Sequence, residues 1–168
     1  GGLVLLPRFS ASGFLDAARR HGATEFNAIG AMLEILMRQP PNPDDADTDL
    51  RLCYPGPSPT QEFQEAFEAR FGLRIVCRYG LSESPYGLFW RHGTRPFGSL
   101  GSPRQHPTLG TVNEARVIDD VGHDVPTGGS GELLLRSPVV PPGYWRIPDE
   151  TAATIVDGWL HTGDLVTV

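Results

Sequence analysis

The chain has 168 residues, enough for one domain of ordinary size burying roughly 70% of its unfolded surface. Gly and Pro together supply 36 residues, short of the roughly 25–30% that marks a disordered chain, so a folded, turn-rich domain is expected. A formal net charge of −6 argues against a general nucleic-acid or anionic-membrane binder. No apolar run approaches the roughly 20 residues of a bilayer span.

All 14 basic residues are arginine, so any chemistry that needs a lysine must take it from outside these residues. Cys53 and Cys77 lie in apolar runs and read as buried free thiols, which suits a reducing, cytoplasmic location. The sequence opens on Gly1-Gly2 and enters an apolar run at once, and it closes on Leu165-Val166-Thr167-Val168. Both ends read as cut through structure, and a longer parent protein is expected.

In chain order, Leu3 to Leu6 reads as a short strand stopped by Pro7. Ser10 caps an expected helix through about Arg20, with Phe14, Leu15 and Ala18 on one face and Gly22 as terminator. A second helix is expected from about Asn27 to Arg38, since Ile29, Met32, Leu33, Leu36 and Met37 recur at helical spacing. The stretch QPPNPDDADTD is an acidic, proline-broken loop. RLCYPG is a short strand, after which Ser58, Pro59 and Gln61 fall at the N-cap, N1 and N3 of a helix ended by Gly72. Leu73 to Arg78 then reads as an interior strand of a parallel sheet. Strand, helix and strand make a βαβ unit, and YGLSES (residues 79–84) follows at the carboxyl end of its second strand, where open α/β sheets hold ligands. After about residue 100 the pattern changes to short strands: TVNEARVID, GELLLRS and DGWLHTGDL, separated by turns. The expected fold class is α/β, a partial parallel-sheet βαβ layer over residues 1–99 followed by a small antiparallel sheet or part-barrel over 100–168.

A nucleotide site needs a flat face for the base, a carboxylate for the ribose diol, hard oxygen ligands for magnesium, and hydroxyls for phosphate oxygens. Tyr79, Ser82, Glu83 and Asp164 are of these types, and the first three share one turn. The residues alone leave a plainer reading open, in which Tyr79 finishes a core, Glu83 faces water and HTGD (161–164) is a turn.

In combination the stretches are more specific. YGLSES resembles the YGxTE motif of the adenylate-forming superfamily, which includes acyl-CoA synthetases, luciferases and the adenylation domains of peptide synthetases. GELLLRSP resembles its next characteristic stretch, and PPGYWRIPDETAATIVDGWLHTGDL closely resembles the GYW to HTGD run of acyl- and aryl-CoA ligases, with 81 positions from Glu83 to Asp164. LPRFSASGFLDAARRHGATEFNAIGAM looks like the segment contributing to the acyl pocket, and YPGPSPT takes the place of a GGAP-type adenine loop.

The resemblance implies roles for ATP or AMP, Mg2+ and CoA. Tyr79 would stack on adenine, with Gly56, Pro57 and Ser58 lining the base. Arg78 is grouped with these nucleotide-binding positions. Ser82 would touch the phosphates and Glu83 would hold magnesium, the two positions taken as catalytic, while Asp164 would take the ribose diol. Gly80 and Leu81 would run along the acyl carboxylate, and Asn27, Ile29 and Gly30 would border its pocket. Ser82 stands where the family usually has Thr, which keeps the hydroxyl. YPGPS departs further from GGAP, since proline adds bulk where glycine allows close approach. His161 reads as a strand-end hydrogen-bonding residue. His21, His92, His106 and His123 show no ligand spacing, and Trp90, Trp145 and Trp159 read as packing. Tyr86 is left without a role.

The family joins a carboxylic acid to ATP's α-phosphorus with loss of pyrophosphate, then passes the acyl group to a thiol, usually CoA. Family members use a glycine-rich phosphate loop with a lysine, and a second lysine on a mobile C-terminal domain. This lysine-free chain contains neither. The expectation is a portion of an AMP-forming carboxylate–CoA ligase, inactive alone and partnered by the remainder of its own polypeptide. An amino-acid adenylation domain and a non-catalytic adenylate-binding scaffold are the alternatives.

Overall fold

In the computed structural model, which describes residues 1–85, 87–91, 93–105 and 108–168, Gly22 ends the first helix, α1 (Ala11–His21), in the left-handed region at φ 56°. Its N–H bonds back to the Arg19 carbonyl, the close that glycine permits without a Cβ penalty. Strand β1 (Glu25–Ile29), helix α2 (Gly30–Met37), strand β2 (Leu52–Gly56), helix α3 (Gln61–Phe71) and the two-residue β3 (Arg74–Ile75) follow. The strands form a parallel sheet in the order β1-β2-β3. These elements belong to a first compact unit, Gly1–Arg78 with Trp90–Gly101. Its core gathers Leu33 and Leu36 of α2, Phe67 and Phe71 of α3, Cys53, Ile75 and Cys77 from the strand side, and Trp90.

Four expectations are corrected here. Leu3 to Leu6 forms no strand, and Leu3 is 81% exposed; apolar character does not supply a ladder partner. Asn27 to Ile29 is strand rather than helix, because these residues align with Tyr54, Pro55 and Gly56 of β2, so α2 starts only at Gly30. The cap of α3 is Thr60 rather than Ser58: its Oγ1 accepts the Phe63 N–H at 3.3 Å. Finally, Leu73 to Arg78 is not one strand. β3 bonds with β2, and after Val76 the chain leaves that sheet, the Cys77 carbonyl accepting the Trp90 N–H at 3.1 Å.

Both thiols are free and buried, as expected. Burial, with Cys77 nearby, pushes Cys53 up to about 12. Arg70 ties α3 to the preceding acidic loop, donating to the Asp45 carboxylate at 2.7 Å and to the Met37 and Pro40 carbonyls at 2.8 and 3.2 Å. Burial works to raise Asp45, but the Asn42 N–H and the Arg70 guanidinium outweigh it and hold the carboxyl below its usual range.

The second unit comprises Tyr79–Phe89 and Ser102–Val168. Three two-residue strands, β4 (Arg78–Tyr79, whose first residue closes the first unit), β5 (Leu88–Phe89) and β6 (Ser102–Pro103), are ordered β4-β5-β6, with β5 and β6 antiparallel. Strands β7 (Glu114–Ile118) and β8 (Ser130–Arg136), helix α4 (Pro148–Thr154), and strands β9 (Ile155–Val156) and β10 (Trp159–Thr167) follow. The four strands form an antiparallel sheet in the order β7-β8-β10-β9. β8 is interior, and its successive residues Leu133, Leu134 and Leu135 are all buried, so both of its faces are covered. The fold class is therefore α/β, with a partial parallel-sheet layer and a small antiparallel sheet.

Helix α4 was not expected, although Pro148 at its start and Asp149 and Glu150 in its first turn are helix-opening residues. Trp145 does not pack in a core: it is 83% exposed, with the Arg146 guanidinium 5.3 Å from its ring centre. Trp90 is core, its indole N–H donating to the Ser99 carbonyl at 2.8 Å. Trp159 lies under the guanidinium groups of Arg136 and Arg116, at 4.4 and 5.3 Å. Among the described residues no helix is long and apolar enough to cross a membrane.

Candidate functional site

After Tyr79 the chain makes a tight turn. The Leu81 N–H donates to the Ser84 carbonyl at 3.1 Å and the Ser84 N–H returns to the Leu81 carbonyl at 3.2 Å. This reciprocal pair leaves Ser82 and Glu83 at the tip, Ser82 exposed and Glu83 half-buried. Gly80 makes the turn possible, because a Cβ there would lie 2.6 Å from the Pro85 carbonyl oxygen and 2.8 Å from that of Ser84. Ser84 is fully buried, and its hydroxyl has no partner among the described residues.

Glu83 is held from below by Tyr144, whose phenol donates to Oε1 at 2.6 Å. That bond, with the residue's own backbone N–H, keeps the Glu83 carboxyl below its usual range against a small burial effect. The same bond raises the Tyr144 phenol. Tyr144 is itself fixed: its N–H donates to Thr151 Oγ1 at 2.8 Å, and that hydroxyl donates to the Ile147 carbonyl at 2.9 Å. Gly143 admits this close approach, since a Cβ would meet the Thr151 methyl at 2.5 Å.

Tyr79 and Asp164, 85 positions apart, meet directly in the second unit: the phenol donates to Asp164 Oδ2 at 2.5 Å. A bulge in β10 delivers the carboxylate. Leu134 pairs with His161 and Glu132 with Leu165, so Thr162, Gly163 and Asp164 all stand opposite Leu133. Gly163 takes the left-handed conformation this needs, at φ 72°. Glu132 accepts the Gly163 N–H on Oε1 and pairs with His161 Nδ1 through Oε2, each at 3.0 Å. The Thr162 hydroxyl donates to the Leu133 carbonyl at 2.7 Å and accepts the Asp164 N–H at 3.2 Å.

Burial, then the hydrogen bond to Asp164, pushes the Tyr79 phenol up to about 12 from its ordinary 10.0. The folded state thus keeps a proton that the unfolded state releases in that window. Stability from this source is complete below pH 10 and declines as pH rises toward about 12. Tyr79→Phe is expected to remove that decline, which denaturation of the two proteins between neutral pH and pH 12 checks.

The other expected positions lie in the first unit. Ile29 and Gly56 are register partners at the carboxyl ends of β1 and β2, and Gly30 approaches Pro57, whose Cδ would sit 3.6 Å from a Cβ on the glycine. Asn27 aligns with Tyr54 one step inside. Gly56 and Pro57 are joined by a cis peptide bond. Ser58 is exposed, and Arg78 begins β4. A cavity of about 570 Å³ opens at the other ends of β2 and β3, among Arg51, Glu65, Glu68, Arg74 and Arg95; it includes none of the expected site residues.

Sequence reasoning gave no role to Tyr144, Thr151 or Glu132. All three lie in stretches quoted above for their family resemblance, and a signal was present in GYW, in the threonine seven positions later and in Gly131-Glu132. His161 does make a strand hydrogen bond, to Glu132. Among the described residues no group of three or more His, Cys, Asp or Glu is arranged to hold a metal. Tyr86, His92 and His106 lie outside the described residues.

Comparison with known proteins locates the chain. The sequence model of the AMP-binding enzyme family matches residues 1–145. The sulfoacetate–CoA ligase of Cupriavidus necator is 36% identical over 98% of this chain and 32% of its own length. The crotonobetaine/carnitine–CoA ligase of Salmonella paratyphi C is 34% identical over 96% of this chain and 31% of its own. Among solved structures, the anthranilate CoA ligase AuaEII in complex with anthranoyl-AMP superposes with a TM-score of 0.82 at 26% identity, over 98% of this chain and 31% of that one. The chain thus spans about a third of the length of the curated relatives it matches. It belongs to the AMP-binding enzyme family of adenylate-forming enzymes.

Proposed function

We propose that these residues form the adenylate-binding portion of a longer carboxylate–CoA ligase that activates an acid with ATP and passes it to CoA. The observation that carries the reading is the direct bond between the Tyr79 phenol and the Asp164 carboxylate. It joins two side chains far apart in sequence, which supports reading the ring as the adenine platform and the carboxylate as the ribose acceptor. The tip hydroxyl of Ser82 suits the phosphates, with Tyr79 under adenine and Asp164 on the ribose. Gly56, Pro57, Ser58 and Arg78 are assigned to the nucleotide, and Gly80 and Leu81 to the acyl carboxylate. Asn27, Ile29 and Gly30 are assigned to the acyl pocket.

Glu83 fits a magnesium ligand. Its carboxyl is held ionised by Tyr144, which occupies Oε1. A single carboxylate beside substrate phosphates is the usual protein share of a magnesium site. Bound there, magnesium would neutralise phosphate charge as pyrophosphate leaves. The names of the relatives, sulfoacetate–CoA ligase and crotonobetaine/carnitine–CoA ligase, favour the CoA branch over peptide-synthetase adenylation. Residues 1–99 are assigned to the acyl and adenine side and 100–168 to the β-rich subdomain. A cytoplasmic location suits the two free thiols.

Positioning and charge neutralisation supply most of the rate in such chemistry, and with no lysine these residues lack the cations that the family uses for it. The 168 residues are therefore expected to bind a non-hydrolysable acyl-adenylate in a calorimetric titration, yet to release no detectable pyrophosphate from ATP, magnesium and a panel of carboxylic acids. Absence of saturable acyl-adenylate binding would remove the site. Steady pyrophosphate release would overturn the need for the remaining polypeptide.

A further inference from the structure

We propose that Glu132 is a positioning residue that sets Asp164 for the ribose diol by clamping the β10 bulge from strand β8. This rests on the ribose reading of Asp164. Both Glu132 oxygens are committed to the bulge, Oε1 to the Gly163 N–H and Oε2 to His161 Nδ1. The clamp spans the excursion, with one bond at its start and one on the residue before Asp164. A three-residue excursion opposite a single partner has lost its regular ladder bonds, so its backbone depends on substitutes. Leu133 supplies the other one, through Thr162 to the Asp164 N–H.

The base of the clamp is tightly packed. Gly131 lies so close to β7 that a Cβ would come within 2.1 Å of the Ile118 carbonyl oxygen, and Glu132 pairs with both Ile118 and Leu165. Asp164, by contrast, is exposed, and only its Oδ2 has a side-chain partner among the described residues. Oδ1 is left to accept a second hydroxyl. An exposed carboxylate on a bulge has a defined direction only if the bulge does, and small displacements of such a group are costly to recognition.

The test compares dissociation constants for AMP and 2′,3′-dideoxy-AMP. Unaltered protein is expected to prefer AMP by roughly 10-fold or more, the range for hydrogen bonds to a charged acceptor, and Asp164→Ala to show no preference. Glu132→Ala is expected to lose most of the preference. Glu132→Gln is expected to keep it, since its amide oxygen still accepts from Gly163 and its NH2 can donate to His161. If Glu132 only stabilises the sheet, both affinities fall together and the ratio survives; that result overturns the inference and leaves the ribose reading intact. No preference in unaltered protein, or a preserved one in Asp164→Ala, overturns the ribose reading and the inference with it. Should Glu132→Ala fail to fold, amide exchange in unaltered protein decides: a protected Gly163 N–H is expected, and one that exchanges as fast as an open loop overturns the clamp.

Discussion

Gly80→Ala is expected to abolish AMP binding and to lower stability by about 1–3 kcal/mol, the range for an overpacked site. The added methyl would sit 2.6 and 2.7 Å from the oxygen and carbon of the Pro85 carbonyl and 2.8 Å from the Ser84 oxygen. All three are backbone atoms, which cannot rotate aside as the end of a side chain can. Relief requires opening the Leu81–Ser84 pair that closes the turn. Ser82 and Glu83 stand at its tip, so opening it withdraws Glu83 from the Tyr144 phenol and moves both groups from their places beside Tyr79. Gly56→Ala is the contrast. A Cβ there meets nothing within 4 Å, and stability should stay within about 1 kcal/mol of the parent. Chemical denaturation with a parallel AMP titration reads both effects. A folded Gly80→Ala protein with parental AMP affinity would show that the turn is not part of the site.

The turn was legible because its determinants are local: a glycine, two small polar residues and a carboxylate in six positions. The β-rich half was legible for a similar reason, since GELLLRS and DGWLHTGDL carry their strand character in their own residues. What failed depended on partners distant in sequence. Glu25 to Ile29 continues into a helical spacing and becomes a strand only because β2 lies alongside. Ser58 is the exception: it has the local marks of a cap, but so does Thr60 two positions on, and Thr60 accepts the Phe63 N–H. Leu73 to Arg78 is apolar at most positions, and nothing in it announces that Cys77 will bond Trp90. The same limit applies to the site. Tyr79 and Asp164 could be named from motifs, but their hydrogen bond could not, nor could the supports beneath them. Tyr144, Thr151 and Glu132 act on Glu83 and the β10 bulge through contacts that span 7 to 61 positions.

These supports tie together four stretches that are separated in the sequence. Gly143 and Thr151 fix Tyr144, which fixes Glu83. Gly131 lets β8 approach β7, and Glu132 beside it ties down the HTGD bulge. Each motif is half of a contact completed by another.

If Asp164 and the Tyr79 turn grip one nucleotide, as proposed, calorimetric titration of AMP will separate the unaltered protein from Asp164→Ala. Asp164 is exposed but accepts the Tyr79 phenol, so the variant should stay folded with a denaturant midpoint lowered by the loss of that one hydrogen bond, about 1–3 kcal/mol. The lost hydrogen bonds to a charged acceptor should weaken AMP by roughly 10- to 100-fold. Equal affinity in the two proteins would remove Asp164 from the nucleotide site.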